Sequence, residues 1–203
     1  DFEVVPGKKV ENFVAGYGGI CLHNSSGEGG IIVTDDDDIY KHIKLYNGQG
    51  QDPTRKFWHL IPGTNFKMSH VQAAILNSQF DRLESTEKKK QHIANLYKEN
   101  LNSDLIWQHV PSLGKHSYWM VCVRHWLDIG WYDKLSKILV DNNIESRPIF
   151  PPIHSMPAMA HLNIADIFPN ADVLYRNGVC LPSGPGTTDE QILKVCSVIN
   201  SAV

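Results

Sequence analysis

The stretch Phe57-Trp-His-Leu-Ile-Pro-Gly-Thr-Asn-Phe-Lys-Met-Ser69 runs directly into His70-Val-Gln-Ala-Ala-Ile-Leu-Asn-Ser-Gln-Phe80 and on to Glu84. It opens on aromatic residues, turns at Pro62-Gly63 and enters a helix that Ser69 is placed to cap. Val71, Ala74, Ile75, Phe80 and Leu83 recur at helical spacing with polar residues between them. The segment before the helix has no such ordinary account. Gly63 to Met68 sets an amide, Asn65, and a cation, Lys67, just ahead of a helix start, where backbone N–H groups favour an anion. Two readings of these residue types stay open: an anion site, or a turn followed by a cap.

The 203 residues are enough for one large domain or two small ones and can bury a sizeable core. With 42% apolar and 20% charged residues, the composition is that of a soluble globular protein. The net charge is −3 and the lysines and arginines are scattered, which argues against a nucleic-acid groove. No apolar run is long enough to cross a bilayer, and there is no secretory pattern. Cys21, Cys122, Cys180 and Cys196 are widely spaced with no CxxC pair, so a reduced, cytoplasmic setting is expected, with the thiols acting as small apolar groups. Cys21 and His23 lack the second pair that a metal site needs, and no metal is expected. The chain begins at Asp1 rather than at a methionine, which suggests processing, trimming or a fragment.

Residues 16–30 read as a glycine- and serine-rich loop leading into a strand at Gly30-Ile-Ile-Val-Thr34; they form neither a Walker loop nor a dinucleotide fingerprint. Asp35 to Asp38 lack the alternation of a calcium loop and are expected to cap a helix through Ile39, Ile43 and Tyr46. Asn47-Gly-Gln-Gly-Gln-Asp-Pro53 breaks that helix. After the central stretch, a kink is expected near Glu84–Glu87. A second helix should follow to Leu101, with Ile93, Leu96, Tyr97 and Leu101 inward and Lys88-Lys-Lys90 on the solvated face. From Leu105 the texture becomes α/β: strands at 105–110 and 117–123, a helix from Trp131 to Asn142, and an edge strand ended by Pro148. A short helix at 168–177, a strand at 178–181 and a final helix capped by Thr188 complete it. The expected division is therefore 1–104 and 105–203, the latter a small two-layer α/β domain. Arg147, beside a proline-stiffened loop, suits bidentate binding of a phosphate or carboxylate, or is simply a surface arginine. His154 on its own is more often structural than catalytic.

Several runs, in order, resemble the DegT/StrS family of pyridoxal-phosphate-dependent nucleotide-sugar aminotransferases. They are Gly27-Glu-Gly-Gly-Ile-Ile-Val-Thr34, Gly48-Gln-Gly-Gln-Asp-Pro53, Phe57-Trp-His59, Gly63-Thr-Asn-Phe-Lys-Met-Ser69 and Gln72-Ala-Ala74. Ser117-Tyr-Trp-Met120, Arg147-Pro-Ile-Phe150, Pro152-Ile-His-Ser-Met-Pro157 and Leu181-Pro-Ser-Gly-Pro185 continue the match, which spans about residues 25–203. The Gly-Gln-Gly and Leu-Pro-Ser-Gly-Pro runs lean toward the branch acting on GDP-4-keto-6-deoxymannose. The resemblance implies an α/β fold, the fold type I of pyridoxal-phosphate-dependent transferases, with the end of the large domain and the small C-terminal domain represented. It also implies a homodimer with active sites at the interface, and amino transfer from an amino acid such as glutamate to a 4-keto-6-deoxy sugar nucleotide.

Matched residue by residue, Asn65 falls where the family's asparagine reaches the cofactor phosphate of the neighbouring subunit, and Arg147 and His154 fall in the loop near the nucleotide sugar. Thr64 stands for the family's tyrosine and Lys67 for its arginine, which keeps the charge but loses the planar fork. The lysine that should hold the cofactor as a Schiff base is expected five residues before the Gly-Glu-Gly-Gly run, where this chain has Leu22, with His23 one position on; Lys8 and Lys9 lie too far upstream. The chain is thus expected to be the C-terminal part of such an enzyme and not to turn over alone. The alternative is a non-catalytic relative that binds a nucleotide sugar or dimerises.

Overall fold

The computed structural model describes residues 13–16, 30–110, 116–126, 130–162 and 167–202. The chain forms two compact units, Asp1–Leu83 and Glu84–Val203. In the first, strands β1 (Phe13–Gly16) and β2 (Gly30–Val33) pair antiparallel, with Phe13 opposite Val33. Helix α1 (Asp37–Asn47) follows, and its start is built as the aspartate run predicts. Asp36 accepts from the backbone N–H groups of Asp38 and Ile39, while Asp37 and Asp38 sit in the first turn, where the helix dipole favours negative charge. Helix α2 (His70–Phe80) is capped by Ser69, which accepts from the Gln72 amide while the Gln72 side chain accepts from Ser69.

The central helices depart from expectation in two ways. The break falls at Asp81–Arg82, not at Glu84–Glu87, and α3 (Leu83–Asn100) starts beyond it. On α2 only Leu76 is buried; Val71, Ile75 and Phe80 of the apolar series are exposed. Helical spacing identified an apolar surface but could not say what covers it.

The second unit is organised on a four-stranded antiparallel sheet of order β3-β4-β6-β5. β3 (Leu105–Trp107) and β5 (Arg147–Pro148) are its edges, and β4 (Val121–His125) and β6 (Gly178–Leu181) its centre. Pro148 sits on an edge, where a missing N–H is tolerated. The strands are shorter than or offset from the expected 105–110 and 117–123. Gln108 uses its side chain to accept the Cys122 amide at 3.2 Å, and Val121 donates its amide to Ser183 Oγ, so side chains replace part of the ladder.

Alternation along the central strands divides the sheet. Val121, Val123, Val179 and Leu181 join a core with Ile93, Ala94 and Tyr97 of α3, Leu135 and Leu139 of α4 (Trp131–Asp141), and Ile192, Val195 and Ile199 of α6 (Asp189–Asn200). Thr188 caps α6 through a reciprocal pair with Gln191. α5 (Pro169–Asn177) runs straight into β6, preceded by short 3-10 turns at Ile153–Ser155 and Pro157–Leu162. α3 supplies this core, and the two compact units divide at 83/84. Among the described residues no helix is long and apolar enough to cross a membrane.

The solvated lysine run is corrected at its last member. Lys90 is buried, and its ammonium donates to the carbonyl oxygens of Trp119, at 2.9 Å, and Ser183. Tyr97, two turns on, donates to the Pro182 carbonyl at 2.8 Å, and Gln91 donates to the His116 carbonyl. α3 therefore fastens the segments on either side of the two central strands. Burial lowers the Lys90 pKa to about 8, because removing the ammonium from water penalises its charged form.

Lys90→Ala is expected to destabilise the protein by about 3 kcal/mol in chemical unfolding, since it leaves two carbonyls unpaired and a void in the core. With a folded pKa near 8 and an unfolded value near 10.5, the unfolded state binds the proton more tightly, so this group's contribution becomes more favourable as pH rises through that window. The stability difference between the wild type and Lys90→Met should accordingly widen from pH 8 to 10.5, and a constant difference would show an unperturbed amine.

Candidate active site

In the first unit, two glycine-rich runs interlock. The Thr64 amide donates to the Tyr46 carbonyl at 2.8 Å, the Gln49 amide to the Thr64 carbonyl at 2.9 Å, and the Phe66 amide to Asn47 Oδ1 at 2.7 Å. The Leu60 amide closes onto the Gly50 carbonyl at 2.7 Å, and His59 Nδ1–H donates to the Gln49 carbonyl at 2.8 Å. Glycine is needed at two points of this latch. A Cβ on Gly63 would lie 2.3 Å from the Gly50 nitrogen, and Gly50 itself has φ +69° with the Ile61 carbonyl where its Cβ would be. The connecting loop is stiffened by Asp52, which accepts from the Thr54 hydroxyl at 2.6 Å and the Thr54 amide at 2.8 Å. Those bonds stabilise the carboxylate and hold its pKa below the ordinary range. Arg55 lies 3.9 Å from the Trp58 ring centre.

The latch presents Asn65 at the rim of an open depression of about 530 Å³, lined also by Gln49, His59 and Gly63. Thr64, which precedes Asn65 but is not in that lining, has its Oγ1 buried without a hydrogen-bond partner. Ser69 and Gln72 occupy each other at the start of α2, so the anion-binding capacity inferred from that helix start is partly spent on its own cap. What remains for a ligand at the rim is the Asn65 amide.

In the second unit Arg147 lines a polar cavity of about 350 Å³ with Trp119, Glu145, Ser183 and Thr187. Its guanidinium is exposed and reaches Glu145 Oε1 at 3.4 Å, a solvated pair that contributes little and is readily exchanged for another anion. Trp119 stacks with Phe150 at 6.1 Å between ring centres, which fixes an aromatic face beside the arginine. His154 does not line this cavity. Its Nε2 pairs with Asp172 Oδ1 of α5 at 3.3 Å and its ring packs on Phe168.

Asn65 belongs to one unit and Arg147 and His154 to the other. The expected lysine position, Leu22, and the neighbouring Cys21, His23, Lys8 and Lys9 lie outside the described residues. Among the described residues no group of three or more His, Cys, Asp and Glu side chains is arranged to hold a metal ion. Lys90 and Ser183 were missed from sequence. Nothing in a run of three lysines marks which one turns inward.

The model of the DegT/DnrJ/EryC1/StrS aminotransferase family matches residues 22–200. The chain belongs to this family. GDP-perosamine synthase of Caulobacter vibrioides is 34% identical over 183 residues, 88% of this chain and 49% of that protein. GDP-perosamine synthase of Escherichia coli O157:H7 is 35% identical over 177 residues, 87% of this chain and 48% of that one. The chain thus spans about half the length of the curated relatives it matches. The solved aminotransferase TlmJ of Streptoalloteichus hindustanus superposes with a TM-score of 0.78 at 20% identity, covering 89% of this chain and 49% of that structure. The fold is that of the pyridoxal-phosphate-dependent sugar aminotransferases, of which the mixed α/β architecture here is one portion. Members of the family depend on pyridoxal phosphate.

Gly63→Ala should lower the stability of the first unit by more than about 1 kcal/mol and open the 59–66 segment to proteolysis, because the methyl group collides with backbone that cannot retreat. Unchanged cleavage at 59–66 would show that the latch does not depend on this contact.

Proposed function

We propose that this chain forms part of a pyridoxal-phosphate-dependent aminotransferase that converts a 4-keto-6-deoxy sugar nucleotide such as GDP-4-keto-6-deoxymannose to the 4-amino sugar, a reading supported by the relatives named GDP-perosamine synthase. Glutamate is the proposed amino donor and the cytoplasm the proposed setting. The observation that carries this reading is the Arg147 cavity. A planar, permanently charged fork beside a fixed aromatic face and two hydroxyls suits a nucleoside diphosphate, whose phosphates accept bidentate bonds and whose base stacks. In this reading Arg147 exchanges Glu145 for the diphosphate. His154, oriented by Asp172, contacts the sugar nucleotide from the loop that follows.

The residues of the first unit fit the phosphate end of the cofactor. The Asn65 amide at the rim of the depression can donate to a phosphate oxygen. When bound, pyridoxal phosphate supplies the electron sink for moving an amino group. The role of the described residues is to bind and orient. A covalently anchoring lysine is not found at the matched position, Leu22. The proposed assembly is a homodimer, and the exposed apolar residues Phe66, Val71, Ile75 and Phe80 supply the surface it would bury.

Isothermal titration with GDP tests the cavity. Arg147→Ala is expected to weaken binding about tenfold, the worth of one charge-assisted pair, with UDP bound less well than GDP. No binding of GDP by the wild-type chain would defeat the proposal. Phe80→Glu should shift the sedimentation profile toward monomer, and an unaltered profile would place any dimer contact elsewhere.

A further inference from the structure

Cys122 and Cys180 sit opposite each other on the two central strands, β4 and β6. The Cys122 amide points away from β6, to Gln108, which makes the two a non-hydrogen-bonded cross-strand pair. In such a pair the Cα atoms lie about 4.5 Å apart, inside the range a disulfide spans. Their sulfurs are 3.1 Å apart and carry free thiols, so closing the bond needs side-chain rotation rather than strand movement.

Both side chains point to the face opposite the helical core. There they line an apolar cavity of about 570 Å³ with Met120, Ile149, Phe150 and Leu174. Cys180 also lines the smaller cavity that holds Arg147, its register partner on β5. The two sulfurs are therefore paired, both at the apolar cavity and Cys180 also at the polar one.

We propose that Cys122 and Cys180 are a redox-active dithiol that a hydroperoxide converts to an intramolecular disulfide and a small thiol restores. The Cys180 sulfur attacks the peroxide, the O–O bond breaks, and a sulfenic acid forms as the alcohol leaves with the thiol's proton. The Cys122 sulfur then displaces the hydroxyl, which departs as water with the Cys122 proton. Two thiols and one hydroperoxide give one disulfide, one alcohol and one water. Two equivalents of glutathione reverse the oxidation and leave as glutathione disulfide.

The roles of the two sulfurs follow from their surroundings. The contact with Cys122 and then the Arg147 guanidinium favour the anionic form of Cys180 against its burial, and the Cys180 thiol donates to the Pro148 carbonyl at 3.7 Å until it is deprotonated; the same sulfur contact and burial raise the Cys122 pKa. Cys196 is an internal comparison. It is buried among apolar side chains with its pKa pushed up to about 11, so it should resist the same reagent.

The full chain, reduced and then treated with tert-butyl hydroperoxide, should lose two hydrogen atoms in mass and yield a peptide joining Cys122 to Cys180. Two of its four cysteines should remain alkylatable. The crosslink should form at least about tenfold faster than any change at Cys196, and glutathione should reverse it. Cys122→Ser should stop at a sulfenic acid on Cys180 that dimedone traps. Survival of both thiols, overoxidation to sulfinic or sulfonic acid without a crosslink, or equal yields of bonds to Cys21 or Cys196 would overturn the proposal. An unmodified Cys180 in the Cys122→Ser protein would overturn its assignment as the attacking sulfur.

Discussion

The second unit depends on one buried cation. Lys90 reaches from α3 across the end of the sheet to the carbonyls of Trp119 and Ser183, which stand immediately outside the two central strands. A buried ammonium is costly unless its protons are used, and here backbone oxygens that would otherwise be orphaned use them. The arrangement sets the depth at which α3 packs. With Lys90 engaged, Ile93, Ala94 and Tyr97 fall onto Val121, Val123 and Val179, and the Tyr97 hydroxyl meets Pro182. Helix, strand ends and flanking loops are thereby fixed as one body.

The candidate nucleotide cavity inherits its shape from that constraint. Trp119 and Ser183, whose carbonyls hold Lys90, also line the space around Arg147. A binding surface formed of loops is thus tied through backbone bonds to a rigid helix, which lowers the ordering cost a ligand would have to meet. In the first unit the same principle appears without any charge. Gly50 and Gly63 allow two backbone segments to approach more closely than any side chain permits, and the resulting latch holds Asn65 at the rim of its depression. Both units spend buried backbone contacts on placing exposed polar groups, the pattern expected of a binding scaffold.

Much of this was legible beforehand, and for a common reason. The aspartate cap of α1, the Ser69 and Thr188 capping boxes, the turn after Asn47 and the strand at Gly178–Leu181 depend on residues within a few positions of one another. Local chemistry decides such features. The ordered motifs that resemble the DegT/StrS family were also legible, and the match over residues 22–200 agrees with them. The strand at 121–125 was misplaced because Ser117 to Met120 has good strand composition. The Tyr118 amide instead bonds its neighbour His116 Nδ1, at 2.8 Å, and the Trp119 carbonyl is committed to Lys90.

By itself, then, the sequence determined the order of the helices and strands from Gly30 onward, the caps, the turn after Asn47 and the family, because each rests on spacing along the chain or on ordered motifs. Only the tertiary structure decided which lysine of Lys88-Lys-Lys90 is buried, that Val71 and Phe80 lie exposed, that Gly50 meets Gly63, and that Cys122 faces Cys180. Each of these pairs or places residues by strand register or by helix packing. Register and packing depth are set by contacts between distant segments, which no local pattern encodes.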